Sequence, residues 1–206
     1  MVVIGNGIDD ALDARVFRAM FEERKRVFID LLGWDIPVLA GRYEIDQFDD
    51  DEAVYIVITD RAGDHCASAR LLRTDRPHIL DAIFPDLSAH EIPRGPAIRE
   101  ITRFCLARRL RASERRTVRN CLISALVDYA LETGITTYTG VAEQAWFEQI
   151  MTFGWSCRAL GSGIAGLSAM RIDIDAHTAD LLRTTGIYAG APLVALDRAA
   201  AWGEML

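Results

Sequence analysis

Residues 53–73, AVYIVITDRAGDHCASARLLR, decide the fold. Ala53–Thr59 is apolar throughout, 60–64 has the composition of a turn, and His65–Arg73 runs on to a second turn-like stretch, Thr74–Pro77. A strand apolar at every position needs cover on both faces. The flanking sequence supplies helices for that purpose. Phe17, Met20, Phe21, Val27, Phe28 and Leu31 recur at helical spacing from about Asp13 to Leu32, closed by Gly33. Downstream, Ile98–Ala107 reads as a strand and Ser113–Thr133 as a helix burying Val118, Cys121, Leu122, Ala125, Leu126, Tyr129 and Ala130. Ile135–Val141 follows as a strand, Glu143–Phe153 as a helix ended by Gly154, and Gly166–Asp173 as a late strand behind the turn GSGIAG. This alternation predicts an α/β protein with a central sheet covered by helices.

The chain has 206 residues, enough for one domain over 1–206 that hides roughly 70% of its unfolded surface. Half the residues are hydrophobic and 26% are charged, which excludes a disordered chain. Its apolar runs fall short of the roughly 20 residues that span a bilayer, and MVVIGNGIDD lacks the pattern of a signal peptide. A cytoplasmic protein with no membrane insertion is expected. The net charge of −7 disfavours nucleic acid as a partner. Cys66, Cys105, Cys121 and Cys157 are widely spaced with no C-x-x-C, so they read as core residues rather than zinc ligands or a disulfide framework. No G-x-G-x-x-G follows the first strand and no G-x-x-x-x-G-K-[ST] occurs, so the element order fits an acyltransferase layout better than a doubly wound nucleotide fold.

Three polar anomalies interrupt the apolar pattern. Arg24 lies on the same helical face as Met20, Phe21, Val27 and Phe28, so it either points inward to carboxylate partners or snorkels outward along its own stem. The densest supply of carboxylates is YEIDQFDDDE at 43–52, where Asp46 and Asp49 can face a common centre while Asp50, Asp51 and Glu52 face solvent. Two converging carboxylates can bind a metal, but the D-x-[DN]-x-[DN]-G loop is missing and no metal is expected. The strand IREITRFCLA at 98–107 carries Arg99, Glu100 and Arg103 among apolar residues. It is either an edge strand or the lining of a cleft, and the many flanking apolar residues favour the cleft, with a β-bulge turning Glu100 and Arg103 to one side.

Arg24, Phe28 and Trp34 in the spacing R-x3-F-x5-W, then Asp46 and Asp49, Arg70, Phe84 and the run Glu100-Ile101-Thr102-Arg103-Phe104 resemble the signature of the acyl-homoserine-lactone synthases, the bacterial autoinducer synthases. These motifs cover the first half of the chain, and the second half agrees in element order and in a helix ending at Gly154-Trp155. The resemblance implies a mixed sheet flanked by helices, similar to the GCN5-related N-acetyltransferases. It implies quorum-sensing signal synthesis from S-adenosylmethionine and an acyl thioester, on acyl carrier protein or coenzyme A, with release of 5′-methylthioadenosine. S-adenosylmethionine is then a substrate, and no cofactor is expected.

The resemblance also implies roles. Glu100 is the candidate general base. Asp46 and Asp49 suit the cationic parts of S-adenosylmethionine, Arg24, Arg70 or Arg103 its carboxylate, and Phe28, Trp34 and Phe104 the walls of its pocket, with core packing as the plain alternative for Phe28 and Trp34. Thr102 and Trp146 are candidates for the acyl site, Trp146 alternatively for ordinary core. Arg108, Arg109 and Arg115 belong to an arginine-rich stretch at a helix start, where an anionic thioester carrier relieves the conflict with the helix dipole; a solvated basic face is the alternative. The helix EQAWFEQIMTF has two acids and no base, unlike members that dock carrier protein, and this favours coenzyme A. Another amine N-acyltransferase of the same fold is the rival reading.

Overall fold

In the computed structural model, the described residues are 1–7, 15–190 and the backbone of 193–195. The decisive stretch forms β4 (Val54–Thr59) and β5 (His65–Arg73), buried at every position except their outer ends, Val54 and Arg73. The other strands are β1 (Val2–Asn6), β2 (Val38–Leu39), β3 (Tyr43–Glu44), β6 (Ile98–Leu106), β7 (Thr137–Glu143), β8 (Ser156–Ala159), β9 (Leu167–Asp173) and β10 (Leu193–Ala195). All but β2 and β3 belong to one mixed sheet in the order β10-β1-β4-β5-β6-β7-β9-β8, in which β1 with β10 and β6 with β7 are parallel. The helices are α1 (Arg15–Arg24), α2 (Ile79–Ala82), α3 (Ala112–Thr133), α4 (Gln144–Met151) and α5 (Thr178–Thr184).

The chain divides into two compact units. The first holds residues 1–70, 103–122 and 191–206, and the second holds 71–102 and 123–190, so β5, β6 and α3 each run through both. In the first unit α1 lies on β1 and β4. Phe17 and Phe21 meet the Tyr55 ring edge-on at 6.0 and 5.6 Å, and a Cβ at Gly5 would come within 2.3 Å of the Phe17 ring. Glycine at position 5 is what lets the helix settle that close to the strand. The expected helix start at Asp13 lies outside the described residues.

The expected continuation of that helix to Leu32 is corrected in part. After Arg24 the hydrogen bonds widen to i→i+5 over Lys25–Ile29, with the Asp30 N–H on Lys25 O and the Leu32 N–H on Val27 O, both at 3.0 Å. A π turn adds a residue to the cycle and rotates the downstream residues off the buried face. Phe28 remains buried, whereas Leu31, expected in the same stripe, is 56% exposed.

In the second unit the Tyr138 hydroxyl donates to Leu126 O at 2.8 Å and holds β7 against α3. The β6–β7 ladder runs from Ile98↔Thr137 to Ile101↔Gly140 and stops there. A Cβ at Gly140 would sit 3.2 Å from Ile101 O, so a side chain there would crowd the last rung. Just beyond it, Arg103 takes φ = 50°, the left-handed region a non-glycine residue rarely enters, so the charged strand departs from regular β geometry there.

One buried histidine gives the first unit an acid limit. His65 is 5% exposed, with Nε2 3.0 Å from Ser68 Oγ and Nδ1 without a partner. Burial, helped by the Arg109 charge and opposed by Glu23, pushes its pKa down to about 4. The folded state therefore resists a proton that the unfolded chain accepts near pH 6.5, and stability is lost as pH falls from there towards 4. The expected loss from His65 is about 3 kcal/mol across that window, read as a falling urea midpoint. His65→Gln should remove that share of the slope, while His78, whose pKa burial also lowers, and the depressed carboxylates Asp46 and Asp49 keep theirs.

Candidate active site

The inward face of α1 ends in a cation. Arg24 is 1% exposed, donates Nε to Glu44 Oε2 at 2.5 Å, and donates Nη1 and Nη2 to the two Asp49 oxygens at 2.8 Å each. Arg70 on β5 forks onto Asp46 at 2.7 and 3.1 Å and lies 2.8 Å from Asp49 Oδ1. Arg103 on β6 donates Nε to both Glu44 oxygens at 3.2 Å, and Nη2 to Glu44 Oε1 at 3.1 Å and Asp46 Oδ2 at 2.5 Å. Three guanidiniums thus face three carboxylates. Charges taken this far from water persist only when neutralised and hydrogen-bonded together.

The backbone around these acids is built for the purpose. The Phe48 N–H donates to Asp46 Oδ1, the Asp49 N–H to Asp46 O and the Asp46 N–H to Asp49 Oδ2, at 2.8–3.0 Å, so the turn points both side chains one way. The Tyr55 hydroxyl adds a donor to Asp49 Oδ1 at 3.0 Å. Burial alone would raise the Asp49 pKa, but the Arg24 and Arg70 charges override it and hold the carboxyl far below the usual range. Asp46 is lowered in the same way by Arg70 and Arg103. Glu44, Asp46 and Asp49 bring carboxylate oxygens within 4.8 Å of one another, a spacing a cation can use, and guanidinium groups already face all three.

Glu44 and Tyr55 are members the sequence reading did not assign. Glu44 precedes Asp46 by two, the spacing that puts both on one side of an extended segment, and that signal was available. Tyr55 sits in an apolar strand, where a hydroxyl carries no sequence signal.

Aromatic rings border the Arg103 end. Phe28 is buried and stacks on Trp34, with centroids 4.8 Å apart and planes at 20°, and Trp34 is 38% exposed. The Arg103 guanidinium lies 5.6 Å from the Phe28 centroid and 5.8 Å from that of Trp34. Phe104, the next residue on β6, is half-buried.

Glu100 is fully buried, and each carboxylate oxygen accepts a backbone N–H from the start of α2: Ile79 to Oε2 at 2.8 Å and Leu80 to Oε1 at 2.9 Å. The carboxylate does for α2 what an N-cap side chain would, from a different strand. Thr102 follows it on the same strand, buried. Phe84 packs against a core of Leu80, Leu87 and Ala169. Trp146 on α4 is half-buried and meets Phe153 edge-on at 5.8 Å, and Phe153 in turn lies 5.9 Å from Trp155.

The arginine-rich stretch is divided. Arg109 donates to Asp60 Oδ2 at 2.9 Å, His65 O at 3.1 Å and Cys66 Sγ at 3.4 Å, and the Arg115 side chain turns back to Ala107 O at 3.2 Å. The Arg108 side chain is exposed, and its backbone N–H donates to Glu23 Oε1 at 2.7 Å. Glu114 caps the backbone N–H of Arg111 at the start of α3 at 2.7 Å. Burial pushes all four thiols up, Cys105 to about 12 and Cys157 to about 11, so none is poised as a thiolate.

Set beside known proteins, the chain matches the autoinducer synthase family pattern over residues 10–179. The chain belongs to the autoinducer synthase family. It is 32% identical over 193 residues to an acyl-homoserine-lactone synthase of Ralstonia nicotianae, covering 88% of this chain and 92% of that protein. It is 33% identical over 177 residues to one of Rhizobium etli, covering 84% and 82% respectively. Among solved structures, the CoA-dependent acyl-homoserine lactone synthase MesI superposes with a TM-score of 0.82 at 25% identity, over 94% of this chain and 99% of that one. TofI, in a ternary complex with an inhibitor and MTA, gives 0.72 at 30%, over 89% and 96%. An N-acetyltransferase fold from Lactobacillus plantarum follows at 0.53 and 17%, over 85% and 98%, which bears on fold alone. The protein is an acyltransferase that makes an acyl-homoserine lactone, and its mixed sheet is of the N-acetyltransferase type. No helix among the described residues is long and apolar enough to cross a membrane.

Proposed function

We propose that this synthase binds S-adenosylmethionine beside Arg103, Phe28 and Trp34 and acylates it from a thioester carried by coenzyme A or acyl carrier protein. The supporting observation is the unequal use of the three guanidiniums. Arg24 commits all three nitrogens to Glu44 and Asp49, whereas Arg103 Nη1 has no hydrogen-bond partner among the described residues. A nitrogen with two N–H groups suits the carboxylate of the methionyl arm. Trp34 offers its exposed part to the adenosyl group, and Asp46 balances the sulfonium charge through the same network. Arg24, Arg70 and Asp49 then serve mainly to hold Arg103 and Asp46 in place.

The α-amine, with a pKa near about 7.7–8.0, attacks the thioester carbonyl as the free base. The new amide C–N bond replaces the C–S bond, and the thiol leaves with a proton. Glu100 takes the amine proton through the second lone pair of an oxygen that already accepts a backbone N–H, or through one water. Backbone N–H groups of β6 past the end of its ladder with β7 stabilise the oxyanion. The methionyl carboxylate then attacks its own γ-carbon, closes the lactone and expels 5′-methylthioadenosine as a neutral thioether, an intramolecular step that needs positioning above all.

Thr102 and Trp146 belong to the acyl site in this reading, and Arg108, Arg109 and Arg115 to the donor's phosphates. The acidic α4 favours coenzyme A over an acidic carrier protein. We take the chain as one synthase domain, without a metal or cofactor, working in the cytoplasm where both substrates are made. Incubation with S-adenosylmethionine and a panel of acyl-coenzyme A and acyl-carrier donors tests this. Equal amounts of thiol, 5′-methylthioadenosine and lactone are expected, and thiol release without methylthioadenosine would leave only the plain N-acyltransferase.

A further inference from the structure

Among the described residues Glu44 is the one carboxylate that joins Arg24, which is fully committed, to Arg103, which is not. It sits on β3 of a small hairpin whose three-residue loop, Ala40-Gly41-Arg42, opens with φ of 51° and 67° and is closed by the Arg42 N–H on Leu39 O at 3.0 Å. The hairpin is moored to α1 twice, by Arg42 Nε on Glu22 Oε1 at 2.8 Å and by Glu44 on Arg24 Nε at 2.5 Å. Glu44 has no solvent exposure, although its pairing partner Val38 and the neighbouring Leu39 are 37% and 52% exposed.

We infer that Glu44 is a positioning residue for S-adenosylmethionine, holding the Arg103 guanidinium by its Nε edge so that Nη1 faces the substrate carboxylate; this rests on the binding mode proposed above. Arg103 needs such a restraint. Its backbone is in a left-handed conformation just past the end of the β6–β7 ladder, and its side chain is held chiefly by carboxylates from another segment. Three of its four close carboxylate contacts are to Glu44, and the fourth, to Asp46, grips Nη2 alone and leaves the plane free to turn about that bond. Arg24 does not depend on Glu44 in this way, because Asp49 holds it by both terminal nitrogens. Glu44 also keeps the network neutral. S-adenosylmethionine carries a net charge near +1 at neutral pH, so removing one carboxylate weakens attraction as well as orientation.

The arm held by Arg103 is present in S-adenosylmethionine and missing from 5′-methylthioadenosine, and the test uses that difference. Calorimetric titration of each ligand into the wild type, Glu44→Gln and Glu44→Asp proteins should show S-adenosylmethionine binding weakened at least tenfold in both variants. Methylthioadenosine binding should stay within about twofold, and KM for S-adenosylmethionine should rise with little change in KM for the acyl donor. Glu44→Asp keeps the charge but pulls it back by one methylene, so it carries the test should Glu44→Gln fold poorly. Equal losses for the two ligands in the folded variants would overturn the inference and make Glu44 a structural member of the network. A wild type that made lactone without weaker binding of either ligand in the variants would overturn it too. A wild type that bound neither ligand would instead overturn the binding mode on which it rests.

Discussion

Replacing Asp49 by asparagine is expected to destabilise the protein by about 3–5 kcal/mol, a fall in melting temperature of about 6–20 °C. Asp49 is the most heavily committed acid in the network: it takes both terminal nitrogens of Arg24, lies 2.8 Å from Arg70 Nη1, and accepts the Tyr55 hydroxyl and the Asp46 N–H. Neither arginine can escape to solvent, Arg24 and Arg70 each being 1% exposed, and neither can give up its proton. The substitution therefore leaves two buried cations short of a counter-charge, and the cost is that of the stranded charges rather than of one lost bond. Asp180→Asn, which breaks the exposed pair between Asp180 and Arg183 on α5, is the matched control and should cost less than about 1 kcal/mol. Urea unfolding of both variants decides the matter. A loss below about 1 kcal/mol for Asp49→Asn would mean that water or a rearranged acid reaches the arginines.

The second large effect concerns Glu100. Glu100→Gln is expected to lower turnover about 10²–10⁴-fold if the carboxylate is the general base, with much smaller loss of S-adenosylmethionine binding. Its two backbone bonds add a second consequence. A glutamine amide accepts only through its oxygen, so its NH₂ would face one of the Ile79 and Leu80 N–H donors. The variant should therefore also lose about 1–3 kcal/mol of stability, with the start of α2 as the first segment to gain hydrogen exchange. The two roles separate in kinetics on the folded variant. If Glu100 is the base, its loss removes one step of the acidic limb and leaves that of the substrate amine, whereas a purely structural glutamate leaves the whole profile unchanged and lowers only the amount of active protein.

Much of this site was legible one residue at a time. Arg24 declared itself by standing where an apolar residue belonged, and the alternative of snorkelling fails because its guanidinium meets acids inside. Asp46 and Asp49 declared themselves by a three-residue spacing in a segment too short to be a helix. The charged strand was recognised as irregular, and its left-handed residue is Arg103. The turn of the helix at Lys25–Ile29 into π geometry was not legible, because the apolar stripe on either side of it keeps an ordinary helical period. Nor was Tyr55, since a hydroxyl in an apolar strand carries no signal of the acid it meets, whereas Glu44 stood at a readable two-residue spacing from Asp46.

The sequence by itself determined the α/β class, the bounds of β5 and, to within a residue, of β4, and where polar residues interrupt the apolar pattern, because periodicity is a local property of the chain. Only the tertiary structure decided who pairs with whom. Arg24 spends every nitrogen on acids 20 and 25 residues away, Arg103 keeps one open, and Glu100 ties down the start of α2. Hydrogen-bond partners are fixed by distances of about 3 Å between atoms, and those depend on how helix, hairpin and strands are brought together, which no local pattern encodes.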